Sequence, residues 1–209
     1  MSLPRWLSIE WFIEFDNIAK ILLEHSAKSV LDVGCGRNVL CYLLKLLGIQ
    51  CVGVDIDCKD SVGLCIPYDV RKGIPFTSKS FDAVVMQHFI EHLDLEDQFL
   101  VVQEALRVAK KLVIIVTPNK RFPWRKELGD GQYNPSHRYM HDEQSLRSFC
   151  RLAARCELKE IQNFAYASEN YYPDLNEIIE IGTWNEPKPT LLLLLYTDTT
   201  QVSESSRGD

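Results

Sequence analysis

Two glycines and two aspartates give this sequence its clearest chemical pattern. The glycines occur in the segment DVGCGRN over residues 32–38, and Asp55 ends the next apolar run, 21 positions after Gly34. Glycines at this spacing let the backbone turn sharply and approach a ligand closely. A carboxylate at the end of the neighbouring strand can accept hydrogen bonds from both hydroxyl groups of a ribose. The pattern therefore predicts a binding site for a nucleoside-containing cofactor.

Two such cofactors differ in what they need from this turn. A dinucleotide carries a pyrophosphate, which binds at a helix N-terminus behind a turn with three glycines. S-adenosyl-L-methionine carries no phosphate, but it has a sulfonium cation and an ammonium group. Asn38 occupies the place of the third glycine, where Asn tolerates the left-handed conformation, and Asp32 lies two residues before Gly34. Both features favour S-adenosyl-L-methionine, and a NAD-dependent oxidoreductase is the weaker alternative.

Several longer stretches resemble the class I S-adenosylmethionine-dependent methyltransferases, in their small-molecule, type 11-like branch. VLDVGCGRN looks like the first motif of that family, and GVDID looks like its second, acidic motif. YDVRKGIPFTSKSFDAVVMQHFIEHL and the later TPN are similar to the segments that follow, so the match runs from about Val30 to Pro118. The resemblance implies an α/β, Rossmann-like, doubly wound fold, with a mostly parallel seven-stranded sheet and helices on both faces.

The resemblance also implies which residues bind the cofactor. Asp32 and the glycine turn would hold its methionine end, Asp55 would bind the ribose, and Ile56 would pack on the adenine. Asp69 would accept a hydrogen bond from the adenine amino group, although it can also be a simple turn residue. The full implied set is Asp32, Gly34, Cys35, Gly36, Asn38, Asp55, Ile56, Asp69, Val70 and Gln87.

Methyl transfer is an in-line displacement, so the enzyme mainly has to align the acceptor with the methyl group and exclude water. A general base is needed only when the acceptor must lose a proton, and histidine suits that task because its charge changes near neutral pH. His88, beside the implied methyl position, is the first candidate base, and His137 is the second. For Glu91 and His92, which open a predicted helix, contact with substrate and simple capping or packing are both open.

The rest of the sequence predicts strands alternating with helices, which indicates a mostly parallel sheet covered on both sides. We expect one methyltransferase domain over residues 1–196, with a leading helix in 1–26, a lid-like loop at 119–141 and an insertion at 171–189. A tail at 197–209 is expected to be disordered. The predicted strands are 29–33, 50–54, 62–66, 80–86, 111–116, 158–166 and 190–196, and the predicted helices are 6–25, 38–47, 93–109 and 142–156.

The composition disfavours several classes of protein. The chain has 209 residues, of which 46% are hydrophobic, and a formal net charge of −6 at pH 7. This charge disfavours binding to nucleic acids or anionic membranes, and no apolar run reaches the roughly 20 residues of a membrane span. The seven cysteines show no C-x-x-C pair and no zinc-ligand spacing, which favours reduced thiols and no metal.

We therefore predict a cytoplasmic enzyme that transfers a methyl group from S-adenosyl-L-methionine to a small-molecule substrate. The alternative from a different class is a non-catalytic module that only binds this cofactor. The sequence leaves the oligomeric state and the identity of the acceptor open.

Overall fold

The computed structural model describes residues 9–58, 62–121, 136–161 and 190–199. Several sequence predictions concern residues outside these ranges. They are the start of the leading helix before residue 9, the middle of the lid-like loop, the end of the strand at 158–166, the insertion at 171–189 and the tail from residue 200.

Seven strands form a single sheet in the described part of the chain. They are β1 (Ser29–Val33), β2 (Gln50–Asp55), β3 (Cys65–Pro67), β4 (Phe81–Gln87), β5 (Ala109–Pro118), β6 (Arg155–Ile161) and β7 (Thr190–Tyr196). Their order across the sheet is β3-β2-β1-β4-β5-β7-β6. The first five strands are parallel, whereas β7 is antiparallel to both of its neighbours. The carboxyl ends of β1, β2 and β4 therefore meet at one edge, where the strand order reverses and α/β proteins bind ligands.

Helices cover both faces of this sheet. They are α1 (Ile9–Glu24), α2 (Val39–Leu46), α3 (Leu95–Val108) and α4 (Glu143–Leu146). Successive strand residues point to opposite faces, so Ala83 and Val85 of β4 pack with α1 and α2, while Val84 and Met86 pack with α3. These contacts confirm the predicted α/β, Rossmann-like, doubly wound fold. None of the described helices combines the length and the apolar character that a bilayer span requires.

Most predicted elements are present, but the predicted helix over 142–156 is wrong. Asp142 begins α4 with a capping box that it forms with Ser145. The segment then continues as a 3-10 helix over Arg147–Leu152, and β6 already begins at Arg155. The apolar spacing of Leu146 and Phe149 fits a 3-10 helix as well as an α-helix, so the sequence pattern could not separate the two.

The prediction that all cysteines are reduced also differs from the structure. Disulfides join Cys41 to Cys51, Cys58 to Cys65, and Cys150 to Cys156, and Cys35 is the free cysteine. In each pair, packing places two sequence-near cysteines at a Cα–Cα distance of 4.9–5.7 Å. That range suits a disulfide, whereas the sequence spacing alone carries no such information.

Candidate cofactor and methyl-transfer site

The glycine turn lies between β1 and α2, at the carboxyl edge of the sheet. Gly34, Gly36 and Asn38 have φ angles of 75°, 49° and 62°, so Asn38 takes the left-handed conformation that the sequence predicted. The Gly34 N–H donates to the Val54 carbonyl at 2.8 Å, which fixes the turn against β2. A Cβ atom on Gly34 would lie 2.0 Å from the Phe89 ring, whereas a Cβ on Gly36 would meet no atom within 4 Å. The turn is thus tightly packed at Gly34 and open at Gly36.

We expect Gly34→Ala to be much more harmful to folding than Gly36→Ala. Both changes place a side chain on a left-handed backbone, which costs about 1 kcal/mol, but only the first also forces a methyl group into Phe89. Chemical denaturation should show a loss of about 2–4 kcal/mol for Gly34→Ala and about 1 kcal/mol for Gly36→Ala. Equal losses for the two variants would contradict the close packing of Phe89 on this turn.

Asp32 is a buried carboxylate without a hydrogen-bond partner among the described residues, and it is only 3% exposed. Burial, and to a smaller extent the nearby charge of Asp55, raises the pKa of Asp32 to about 7. Burying a carboxylate without donors is costly, and a cationic ligand would offset this cost. Asp55 accepts N–H groups from Gly36 and Asp57, each at 2.9 Å, and a carboxylate has lone pairs to spare for further donors.

The predicted adenine contacts lie farther along the same edge. Ile56 follows Asp55 directly and is 68% exposed, which leaves an apolar surface for a planar base. Asp69 binds its neighbour Arg71 through both oxygens, at 2.8 and 2.9 Å, and this hydrogen bonding lowers the pKa of Asp69. Asp69 also accepts the Arg71 N–H, so the turn-residue alternative describes its contacts in this structure. Val70 is buried and begins the 3-10 helix over Val70–Lys72.

The side chains of two predicted cofactor residues, Asn38 and Cys35, contact residues in or next to the neighbouring strands. Asn38 is fully buried and donates to the Leu64 carbonyl at 2.9 Å. The Cys35 sulfur lies 3.3 Å from that of Cys65. A Cβ atom on Gly53 would lie 2.5 Å from both the Asn38 Oδ1 and the Cys35 sulfur. The predicted contact of these two residues with the cofactor would therefore involve their backbone atoms.

Glu14, which the sequence pattern did not single out, lies next to the end of β4. This residue of α1 is 1% exposed. Its Oε2 atom accepts the Gln87 side-chain amide at 3.0 Å and lies 2.7 Å from the His88 Nε2. Thr190 donates to the other oxygen at 3.0 Å. The available signal was an acidic residue on the apolar face of the helix, three residues after Trp11.

His88 lies between two buried carboxylates and has an unusual backbone φ of 49°. Burial by itself would lower its pKa, but Glu14 and Glu91 outweigh this effect and hold the pKa of His88 well above its usual value. The Nδ1 of His88 is 3.4 Å from Oε1 of Glu91. A raised pKa favours the protonated ring, which is a poor proton acceptor, so this environment disfavours a general-base role for His88, and that role stays a prediction.

The other histidine singled out by the sequence, His137, lies beside His92, with the two ring centroids 4.9 Å apart. One ligand-type atom from each of Glu91, His92 and His137 lies within 4.8 Å of the other two. The structure thus brings Glu91 and His92, whose role the sequence left open, together with His137 next to the end of β4.

Comparison with known proteins identifies the family of this chain. The profile of a family described as "Methyltransferase domain" matches residues 10–161. This chain belongs to that methyltransferase family. The methyltransferase therefore uses S-adenosyl-L-methionine, and the NAD-dependent alternative is excluded.

Individual relatives of this methyltransferase are distant. Ajmaline N-methyltransferase from Rauvolfia serpentina is 32% identical over 107 residues, which cover 44% of this chain and 36% of that protein. A SAM-dependent methyltransferase from Archaeoglobus fulgidus has a TM-score of 0.63 at 19% identity, over 92% of this chain and 100% of its own. The small RNA methyltransferase HEN1 has a TM-score of 0.65 at 15% identity, over 96% of this chain and 27% of its own. The two structural similarities concern the fold alone.

The residues present fit the cofactor of this family. Asp32 offers a buried carboxylate with no hydrogen-bond donor among the described residues, beside a glycine turn that is open at Gly36. Asp55 and the exposed Ile56 stand at the end of the neighbouring strand. S-adenosyl-L-methionine consists of a cationic amino acid, a ribose and a planar base. These three parts match, in order, the carboxylate of Asp32, the carboxylate of Asp55 and the apolar surface of Ile56.

Proposed function

We propose that this methyltransferase methylates a small organic molecule. The observation that carries the proposed cofactor site is the buried Asp32 carboxylate beside the open glycine turn, because it needs a cation that the described protein residues do not supply. A small acceptor is supported by the net charge of −6, which repels a nucleic-acid backbone. The name of the plant relative, an ajmaline N-methyltransferase, also supports a small molecule as acceptor.

In this proposal the cofactor supplies an electrophilic methyl group, and the protein positions the reactants. Asp32 binds the ammonium group, Asp55 binds the ribose hydroxyls, and Ile56 covers the base. Contacts with Glu14 and Glu91 hold the His88 ring just after the end of β4, on the side of the site that faces the acceptor. A nitrogen acceptor that is already neutral would need no protein base.

We also propose that residues 1–196 form the single methyltransferase domain and that 119–141 acts as a lid over the acceptor. The ends of this loop are close together, since Asn119 and His141 form a β-bridge and the Lys120 N–H donates to the His141 carbonyl at 2.7 Å. The base of the loop therefore lies next to the carboxyl end of β5. Exchange of the acceptor is expected to depend on this loop.

A cytoplasmic location is part of the same proposal, because S-adenosyl-L-methionine is an intracellular cofactor. The three disulfides count against this location. Disulfides are rare in the reducing cytosol, and intracellular proteins of hyperthermophiles are the main exception.

The cofactor site is tested by isothermal titration of S-adenosyl-L-methionine into the wild-type protein, Asp55→Ala and Asp57→Ala. The loss of the Asp55 carboxylate leaves ribose hydroxyls unpaired and should weaken binding by about 1–3 kcal/mol. Asp57 is exposed and two residues away, so Asp57→Ala controls for the loss of one negative charge. Equal affinities in a folded Asp55→Ala would remove this residue from the site.

The acceptor class is tested separately with radiolabelled cofactor. Small amines, phenols and carboxylic acids form one set of acceptors, and short RNA oligonucleotides form the other. We expect label on at least one small molecule and none on RNA. Labelled RNA with no labelled small molecule would overturn the proposed acceptor class and leave the cofactor site intact.

A further inference from the structure

We propose that Glu91, His92 and His137 bind a divalent metal ion of the zinc class. The site would lie beside the methyl-transfer end, but it uses none of the residues assigned to the cofactor. It goes beyond the proposed function, and either can fail without the other. It also departs from the sequence-based expectation of no metal, which considered only ligands close together in the sequence.

The distances suit a site that closes around an ion. The three ligand-type atoms lie within 4.8 Å of one another. Ligands about 2.1 Å from zinc in a tetrahedron lie roughly 3.4 Å apart, so each pair has to approach by little more than about 1 Å. Both histidines are only partly buried, and small rotations of their rings can supply this movement.

The burial of the Glu91 carboxylate indicates that it has a further binding partner. It is fully buried, and its Oε1 atom receives no hydrogen bond of good geometry from the described residues. The nearest cationic group is the His88 Nδ1, at 3.4 Å. A buried carboxylate oxygen normally has a hydrogen-bond donor or a metal as its partner.

Neighbouring groups hold the proposed ligands in place, as outer contacts do in known metal sites. Thr117 donates to the Glu91 Oε2 at 3.1 Å. The Nδ1 of His92 lies 3.2 Å from the Ser136 carbonyl and 2.9 Å from its hydroxyl. The Arg138 and Tyr139 N–H groups both donate to the Glu91 carbonyl, at 2.7 and 3.2 Å. These bonds fix the segment that carries His137 against the 3-10 helix over Ile90–His92, which carries the other two ligands.

The donor set indicates the class of ion. Two imidazoles and one carboxylate are typical ligands of zinc and of other first-row divalent metals, whereas magnesium and calcium prefer oxygen ligands. Three protein ligands are also the number found in zinc sites that keep one position for a water or a substrate atom. The proposed ion could therefore contact an oxygen or nitrogen of the acceptor.

The test uses the full-length protein after chelator treatment and dialysis. Zn²⁺ is titrated calorimetrically, and Co²⁺ is added as a spectroscopic probe of the ligands. We expect one ion per chain and a cobalt spectrum without a thiolate charge-transfer band, which separates this site from the free Cys35. His92→Ala and His137→Ala should each weaken zinc binding at least tenfold, whereas His25→Ala, at a histidine outside the cluster, should leave it unchanged.

Two controls keep the result clear. Thermal unfolding and binding of S-adenosyl-L-methionine are measured for each variant, because a folded variant that still binds the cofactor has lost only the metal ligand. Zinc affinity that is the same in His92→Ala, His137→Ala and the wild type would overturn the proposal, as would the absence of stoichiometric binding to the wild-type protein. Neither result would affect the proposed methyl transfer.

Discussion

Asp32→Asn is expected to stabilise the cofactor-free protein and, at the same time, to remove tight binding of S-adenosyl-L-methionine. The folded protein raises the pKa of Asp32 to about 7, from an ordinary value of 3.8, through burial and the charge of Asp55. Ionisation of this group therefore opposes folding at neutral pH. Asparagine keeps the shape of the side chain without the charge, so the variant avoids this cost but cannot pair with the ammonium group.

The sign of the pH dependence follows from the raised pKa. At pH 4 the carboxyl is protonated in the folded chain and still partly protonated in the unfolded chain, so its ionisation changes the free energy of unfolding only slightly. The cost grows as the pH rises towards 7 and is complete above it. The stability gain of Asp32→Asn over the wild type should thus be small near pH 4 and about 2–4 kcal/mol at pH 8.

Urea unfolding of both proteins at pH 4, 6 and 8 measures this difference without the cofactor. Calorimetric titration at pH 8 should show cofactor binding weakened by at least about 3 kcal/mol in the variant, as expected when a buried ion pair loses one partner. Wild-type affinity should fall about tenfold per unit below pH 7, because binding then has to remove a proton from Asp32. A variant that is less stable than the wild type at pH 8 would contradict the assigned cost of this carboxylate.

Glu14→Ala is expected to be among the most destabilising single changes in this chain. Glu14 connects α1 to β4 and β7, since its carboxylate binds Gln87, His88 and Thr190. Removing it leaves the partly buried His88 ring and two polar groups with fewer partners. The expected loss in the free energy of unfolding is about 3–5 kcal/mol.

Asp16→Ala provides the matched control on the same helix. Asp16 pairs with Lys20 on the surface, with both side chains more than half exposed, and such a pair contributes about 0.5 kcal/mol. Urea unfolding compares the two variants, and Glu14→Gln replaces Glu14→Ala if the latter does not fold. A loss for Glu14→Gln no larger than that for Asp16→Ala would show that the Glu14 charge does not stabilise the end of β4.

Sequence and structure agree best where the chain makes local contacts. The strands β1 and β7 have the predicted bounds, and Asn38 adopts the left-handed conformation expected from its place in the turn. These features depend on the apolar run itself or on the φ angle of one residue. The same kind of local pattern is misleading at 142–156, where the α-helix covers only Glu143–Leu146 and a 3-10 helix and the start of β6 follow it.

The sequence by itself determined the sheet, the glycine turn and the place of Asp32 and Asp55, because parallel strands bring the residues that follow them to one edge. Only the tertiary structure revealed the cysteine pairs, the Glu14 contact beneath His88 and the approach of His137 to Glu91. Each of these depends on how segments pack together in three dimensions. Such packing sets the environment of a titratable group, so the charge of His88 could be inferred only after its two carboxylate neighbours were known.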